Sequence, residues 1–141
     1  MVLIGEEDAA EIRKRLVELA NPVKLIHVTQ ELNVPYAREA KQLLEELAAL
    51  SPKLSLEVYN FVLDKQRRAE YGVDKVPATI VRNSKDYGIR FYGFPAGYEF
   101  AMLLDAMLAV SNGDSGLAAE TREKLSKIAQ PVHLEVLVTP T

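Results

Sequence analysis

Few residues in this sequence can do chemistry, and the gaps inform as much as the residues present. Cysteine is absent from all 141 positions, which removes thiol nucleophiles, disulfides, thiolate metal sites and iron–sulfur clusters together. The two histidines, His27 and His133, are far apart in sequence and give little basis for a metal site. No paired carboxylates, nucleophile–base set or phosphate-cradling glycine loop stands out, so a non-redox enzyme has no support. One stretch has the setting of a site without its reactive groups. Residues 30–37 join a short apolar run to a helical pattern, the place where open α/β sheets put ligands, outside the carboxyl end of a strand. A helix N-terminus there offers unpaired N–H groups and a partial positive potential that would stabilise a thiolate. The residues present are Val34, Pro35, Tyr36 and Ala37, with only the Tyr36 phenol to ionise. A second stretch, Val76-Pro77-Ala78-Thr79, precedes a strand, where an X–Pro bond can be cis and turn a backbone edge outward.

Alternating elements position these two stretches. Ala9, Ile12, Leu16 and Leu19 recur at helical spacing over residues 7–20, and Pro22 ends the pattern. Residues 23–29 are short, apolar and β-branched, a strand. Asn33 reads as the N-cap of the next helix, with Pro35 in its first turn and Ala37, Ala40, Leu44 and Leu47 inward. Residues 54–61 form a second strand. A short charged helix over 64–71 follows, stopped by Gly72. Residues 77–82 and 89–93 read as two strands joined by a polar hairpin connection, and a helix over 96–110 buries Phe100, Leu103, Leu104 and Met107. The result is an α/β layout with a parallel pair and about four strands.

Composition narrows the function classes. The net charge is −3, so no basic excess exists to neutralise phosphates and no nucleic-acid partner is expected. The longest apolar run, residues 100–110, is broken by Asp105 and falls far short of the roughly 18 residues of a membrane span. The opening Met1-Val2-Leu3-Ile4 is too short for a signal-peptide core. The expectation is a cytoplasmic protein with neither membrane contact nor cofactor. His27 reads as a packed core or edge histidine, His133 as solvent-facing, and Lys65-Gln66-Arg67-Arg68 as a solvated basic face. Tyr87, Phe91, Tyr92, Phe94, Tyr98 and Phe100 read as one packing cluster.

The first unit is complete by residue 110. Residues 111–118 form a small, polar, glycine-containing linker. Beyond it, AETREKLSKIAQPVHL (119–134) aligns without gaps on AEIRKRLVELANPVKL (10–25), identical at eight of sixteen positions. The match crosses the Pro-Val step into the strand, so it marks a tandem duplication rather than shared helical composition. Residues 119–141 are therefore expected to be the helix and strand that open a second, incomplete unit.

Four segments carry a family resemblance: Asn21-Pro22-Val23-Lys24-Leu25; Tyr71-Gly72-Val73-Asp74 with Val76-Pro77-Ala78-Thr79; Asp86-Tyr87-Gly88-Ile89-Arg90-Phe91-Tyr92-Gly93 with Pro95-Ala96-Gly97; and VLVTPT at 136–141. The chain resembles the first thioredoxin-fold unit of the two-unit, glutaredoxin-like protein disulfide oxidoreductases of thermophilic archaea and bacteria. It is also similar, more distantly, to the N-terminal domain of the F component of alkyl hydroperoxide reductase. The resemblance implies a thioredoxin-like α/β fold with a four-stranded mixed sheet flanked by helices. It implies that Pro77 is a cis-proline facing the motif loop, and that Val34 and Ala37 hold the positions of the Cys-x-x-Cys cysteines. Thiol–disulfide exchange needs an attacking thiolate, so exchange would belong to the second unit.

The function expected is a redox-inactive scaffold and docking module, with Val76, Pro77 and Tyr36 touching client polypeptides and the second unit as partner. The alternative is an autonomous peptide-binding or chaperone-like module. The strand from Val132 to Val138 is expected either to join the first unit's sheet or to pair with another copy.

Overall fold

The computed structural model describes residues 1–139. Within them nine elements follow in order: α1 (Glu6–Leu16), β1 (Val23–Thr29), α2 (Ala37–Ala48), β2 (Leu54–Asn60), α3 (Lys65–Glu70), β3 (Ala78–Arg82), β4 (Asp86–Tyr92), α4 (Tyr98–Asn112) and α5 (Ala119–Ser126). The sheet order is β2-β1-β3-β4. β1 and β2 are parallel, as their helical crossover requires, and β3 and β4 are antiparallel additions.

The order of burial follows the sheet order. β1, in the interior, is buried at every position but Lys24, whereas edge strand β2 is buried only at Leu54. One face of β1 and β3 carries Val23, Leu25 and Val81 into the main core with α1, α2 and α4; the other carries Ile26, Val28, Ala78 and Ile80 toward Tyr71 and Val73. In α2, Ala40, Leu43, Leu44 and Leu47 sit at helical spacing and all face inward. Burying each leucine stabilises the fold by about 1.5–3 kcal/mol. Leu44→Ala would cost about 2–5 kcal/mol, because the site is fully buried and leaves a cavity.

Several boundaries differ from the sequence expectation. α1 stops at Leu16, with Val17 exposed and turn bonds from Glu18 and Leu19 to Arg15 and Leu16. Asn33 is not the cap of α2: it lies in left-handed space (φ 62°), Pro35 is outside the helix, and the helix opens after Tyr36 (φ 59°) without a side-chain cap. β3 starts one residue after Pro77, and β4 starts at Asp86, which shortens the hairpin connection to residues 83–85. α4 runs through Asn112 and ends at Gly113 (φ 63°), a glycine stop; Ser111 and Asn112, expected in the linker, are its last turn. The expected aromatic cluster divides. Phe91, Phe94 and Phe100 pack on the core, while Tyr87, Tyr92 and Tyr98 are exposed. Asp105 is an exposed partner of Arg15.

The C-terminal repeat forms its helix, α5, but not its strand. Residues 132–139 pair with no strand, and Val132, Leu134, Val136, Leu137 and Val138 are 61–96% exposed. The expectation that they extend the first unit's sheet is thus corrected: that sheet has four strands and excludes them. In that sheet β1 already has β2 on one side and β3 on the other, so the place a copy of it would match is filled. The remainder of the quoted VLVTPT segment, residues 140–141, lies outside the described residues. No helix among the described residues is long and apolar enough to cross a membrane.

Candidate functional site

The antiparallel register Val28↔Ala78 brings the end of β1 beside the start of β3. The loop after β1, with Val34, Pro35 and Tyr36, therefore leaves the same end of the sheet at which Val76 and Pro77 enter it. The Val76–Pro77 bond is cis. Pro77 is buried, and its carbonyl accepts a 2.8 Å hydrogen bond from the Gly93 N–H. Val76 is half-buried and takes part in no backbone hydrogen bond among the described residues. Its N–H and C=O are the free backbone edge that the proline loop presents.

In the loop after β1, Val34 is half-buried, Pro35 and Tyr36 are exposed, and Ala37, which opens α2, is buried. The Ala37 N–H bonds the Val34 carbonyl at 3.4 Å, closing a turn from Val34 to Ala37. Tyr36 is 65% exposed and stacks on Phe94, ring centroids 6.2 Å apart and planes 18° apart. That stack joins the loop to the segment between β4 and α4. Sequence reading placed Phe94 in a packing cluster and missed this pairing, because the two residues are 58 positions apart and no local period links them.

The site has no nucleophile. The first-turn N–H groups of α2 would favour an anion, but the side chains at Val34 and Ala37 are apolar. Among the described residues no group of three His, Cys, Asp or Glu is placed to hold a metal ion. His27 lies beneath this end of the sheet, fully buried, its Nδ1 3.1 Å from Thr79 Oγ1. Burial, then the nearby Lys41 charge, push its pKa down to about 4, so it is neutral at neutral pH. His133 is exposed, its Nε2 2.9 Å from Glu135 Oε1. Of the basic run, Arg67 is paired with Glu70 and lies over Tyr59, and Arg68 lies over Phe61.

A parallel β1–β2 pair, an antiparallel β3–β4 hairpin, helices on the β1 crossover and after β4, and a cis-proline ahead of β3 together make the thioredoxin fold. Within it, the chain is related to protein disulfide oxidoreductases and to the N-terminal thioredoxin-like region of the alkyl hydroperoxide reductase component AhpF. The protein disulfide oxidoreductase of Aeropyrum pernix K1 superposes with a TM-score of 0.79 at 26% identity, over 90% of this chain and 56% of that one. The N-terminal domain of the alkyl hydroperoxide reductase AhpF of Enterococcus faecalis V583 gives 0.76 at 23% identity, over 86% of this chain and 59% of that one. The F component of the alkyl hydroperoxide reductase of Xanthomonas campestris pv. phaseoli is 35% identical over 99 residues, 70% of this chain. This chain spans about one sixth of that relative, 17% of its length. No protein-family model matches the chain.

Proposed function

We propose that this chain is the redox-inactive docking unit of a protein disulfide oxidoreductase, holding polypeptide at the Tyr36–Pro77 edge while a second thioredoxin-like unit carries out thiol–disulfide exchange. The observation that carries this reading is the pairing of an intact proline loop with a motif loop that lacks both thiols. Val76 keeps its unpaired backbone edge, whereas Val34 and Ala37 cannot attack a disulfide. An extended polypeptide can bond that edge as an added strand would, with Tyr36 supplying apolar contact area. The repeat at 119–134 supports a second unit as the partner, packed in the same chain. The setting proposed is the cytoplasm.

The test is dithiothreitol-driven reduction of insulin disulfides. The chain should show no rate above dithiothreitol alone, and Val34→Cys with Ala37→Cys should create one. Activity in the cysteine-free chain would overturn the reading.

A further inference from the structure

Phe94, the residue on which Tyr36 stacks, also lines a cavity of about 430 Å³. The cavity lies between α1, α2 and the segment that leads from β4 into α4. Gly93, one residue earlier, donates the 2.8 Å hydrogen bond to the Pro77 carbonyl. The chain from Gly93 to Gly97 therefore runs from the proline loop, past Tyr36, into the cavity wall. The docking edge and the cavity share Phe94.

The lining has a consistent character. Ile4, Ile12, Leu43, Phe94 and Phe100 supply its apolar surface. Ile4, Ile12 and Leu43 belong to the main core yet keep 6–8% exposure, and the two phenylalanines are only half-buried. Apolar surface that the chain does not cover itself favours an apolar guest. On α1, Asp8 and Glu11 share the stripe of Ile12, and both are exposed cavity residues. Lys14 lies 2.5 Å from Glu11, whereas Asp8 has no ion-pair partner among the described residues. No Lys or Arg lines the cavity. The Glu46 carboxylate accepts the Leu3 and Ile4 N–H groups at 2.8–3.1 Å, which pins the N-terminal segment as one wall. A wall fixed in advance lowers the ordering cost of binding.

We propose that this cavity takes a large apolar side chain of the polypeptide docked at the Tyr36–Pro77 edge, with a lysine or arginine two positions away held at Asp8 and Glu11. The inference rests on the docking function proposed above. In an extended chain, residues i and i+2 share a face and stand about 6.6 Å apart. Asp8 precedes Ile12 on α1 by a rise of about 6 Å, so one guest pair spans the apolar floor and the acidic rim. An anionic residue in the second position would meet two carboxylates and no cation of the lining.

The test uses three blocked peptides with serine at x: Lys-x-Phe-x-Lys, Lys-x-Ala-x-Lys and Glu-x-Phe-x-Glu. Each is titrated into the chain labelled with ¹³C in its Ile and Leu methyl groups. The first should bind about tenfold more tightly than the second, because the ring buries apolar area that a methyl group lacks. It should also shift the Ile4, Ile12 and Leu43 methyl signals. At low salt it should bind at least about threefold more tightly than the acidic peptide. Asp8→Asn with Glu11→Gln, both at exposed positions, should close that second gap and keep the preference for Phe over Ala. No preference for Phe, a preference without shifts at those three residues, or a charge preference that is absent or survives the double substitution overturns the site. If all three peptides bind equally and Tyr36→Ala weakens them alike, docking stands and the site falls. If no peptide binds, both fall.

Discussion

Asn21 and Ser111 hold each other by three hydrogen bonds. The Asn21 N–H donates to Ser111 Oγ at 2.8 Å, Ser111 Oγ donates to the Asn21 carbonyl at 2.6 Å, and Asn21 Nδ2 donates to the Ser111 carbonyl at 2.9 Å. The clasp ties the entry of β1 to the last turn of α4, 90 residues later. It gives the Asn-Pro-Val segment a physical role: asparagine pins the chain and proline releases it into the strand. Ser111→Ala removes two of the three bonds, and at about 0.5–1.5 kcal/mol each should lower stability by about 1–3 kcal/mol in urea denaturation. Unchanged stability would show that water replaces the clasp.

His27 sets a pH dependence. Its folded pKa lies near 4, below the ordinary 6.5, because burial and Lys41 oppose its charged form. The unfolded chain therefore binds a proton first as pH falls, and stability drops from about pH 6.5 down to about 4. The fall attributable to this residue should approach roughly 3 kcal/mol at the acid end. Asp86 acts lower. Its hydrogen bonds with Arg90 hold its pKa at about 2 against an ordinary 3.8, so its contribution is present above pH 3.8 and lost toward pH 2. His27→Val should flatten the unfolding free energy between pH 6.5 and 4 while leaving the more acidic loss in place. An unchanged slope in that window would contradict the assignment to His27.

The exposed strand-like tail should make the chain self-associate. Val132, Leu134, Val136 and Val138 alternate with His133 and Glu135, a pattern suited to a sheet edge, and they lie outside the first unit's sheet. Light scattering should show a mass that rises with concentration, and Val136→Lys should restore a monomer. A parent chain that stays monomeric at high micromolar concentration would count against pairing between copies.

The elements most legible in the sequence are those whose burial is periodic. α2 and β1 carry regular apolar spacing, and their placement and facing agree with the structure. The ends were less legible, for local reasons. Asn33 has the chemistry of an N-cap, but Pro35 disfavours helix in the residue before it, and two left-handed residues delay the helix to Ala37. The motif loop and proline loop were each visible as short strings. Their placement at one end of the sheet was legible only through a family likeness, since it depends on the β1–β3 register. The Tyr36–Phe94 stack had no sequence period to reveal it.

The central claim is that this cysteine-free chain holds polypeptide at the Tyr36–Pro77 edge without exchanging disulfides. It is tested most directly by titrating a reduced, alkylated and therefore thiol-free unfolded polypeptide into the 141-residue chain by fluorescence anisotropy. Saturable binding is expected, weakened at least about fivefold by Tyr36→Ala, because an exposed aromatic contact is worth about 1 kcal/mol or more at an interface; the melting temperature should stay unchanged. No binding, or binding indifferent to Tyr36→Ala, would contradict it.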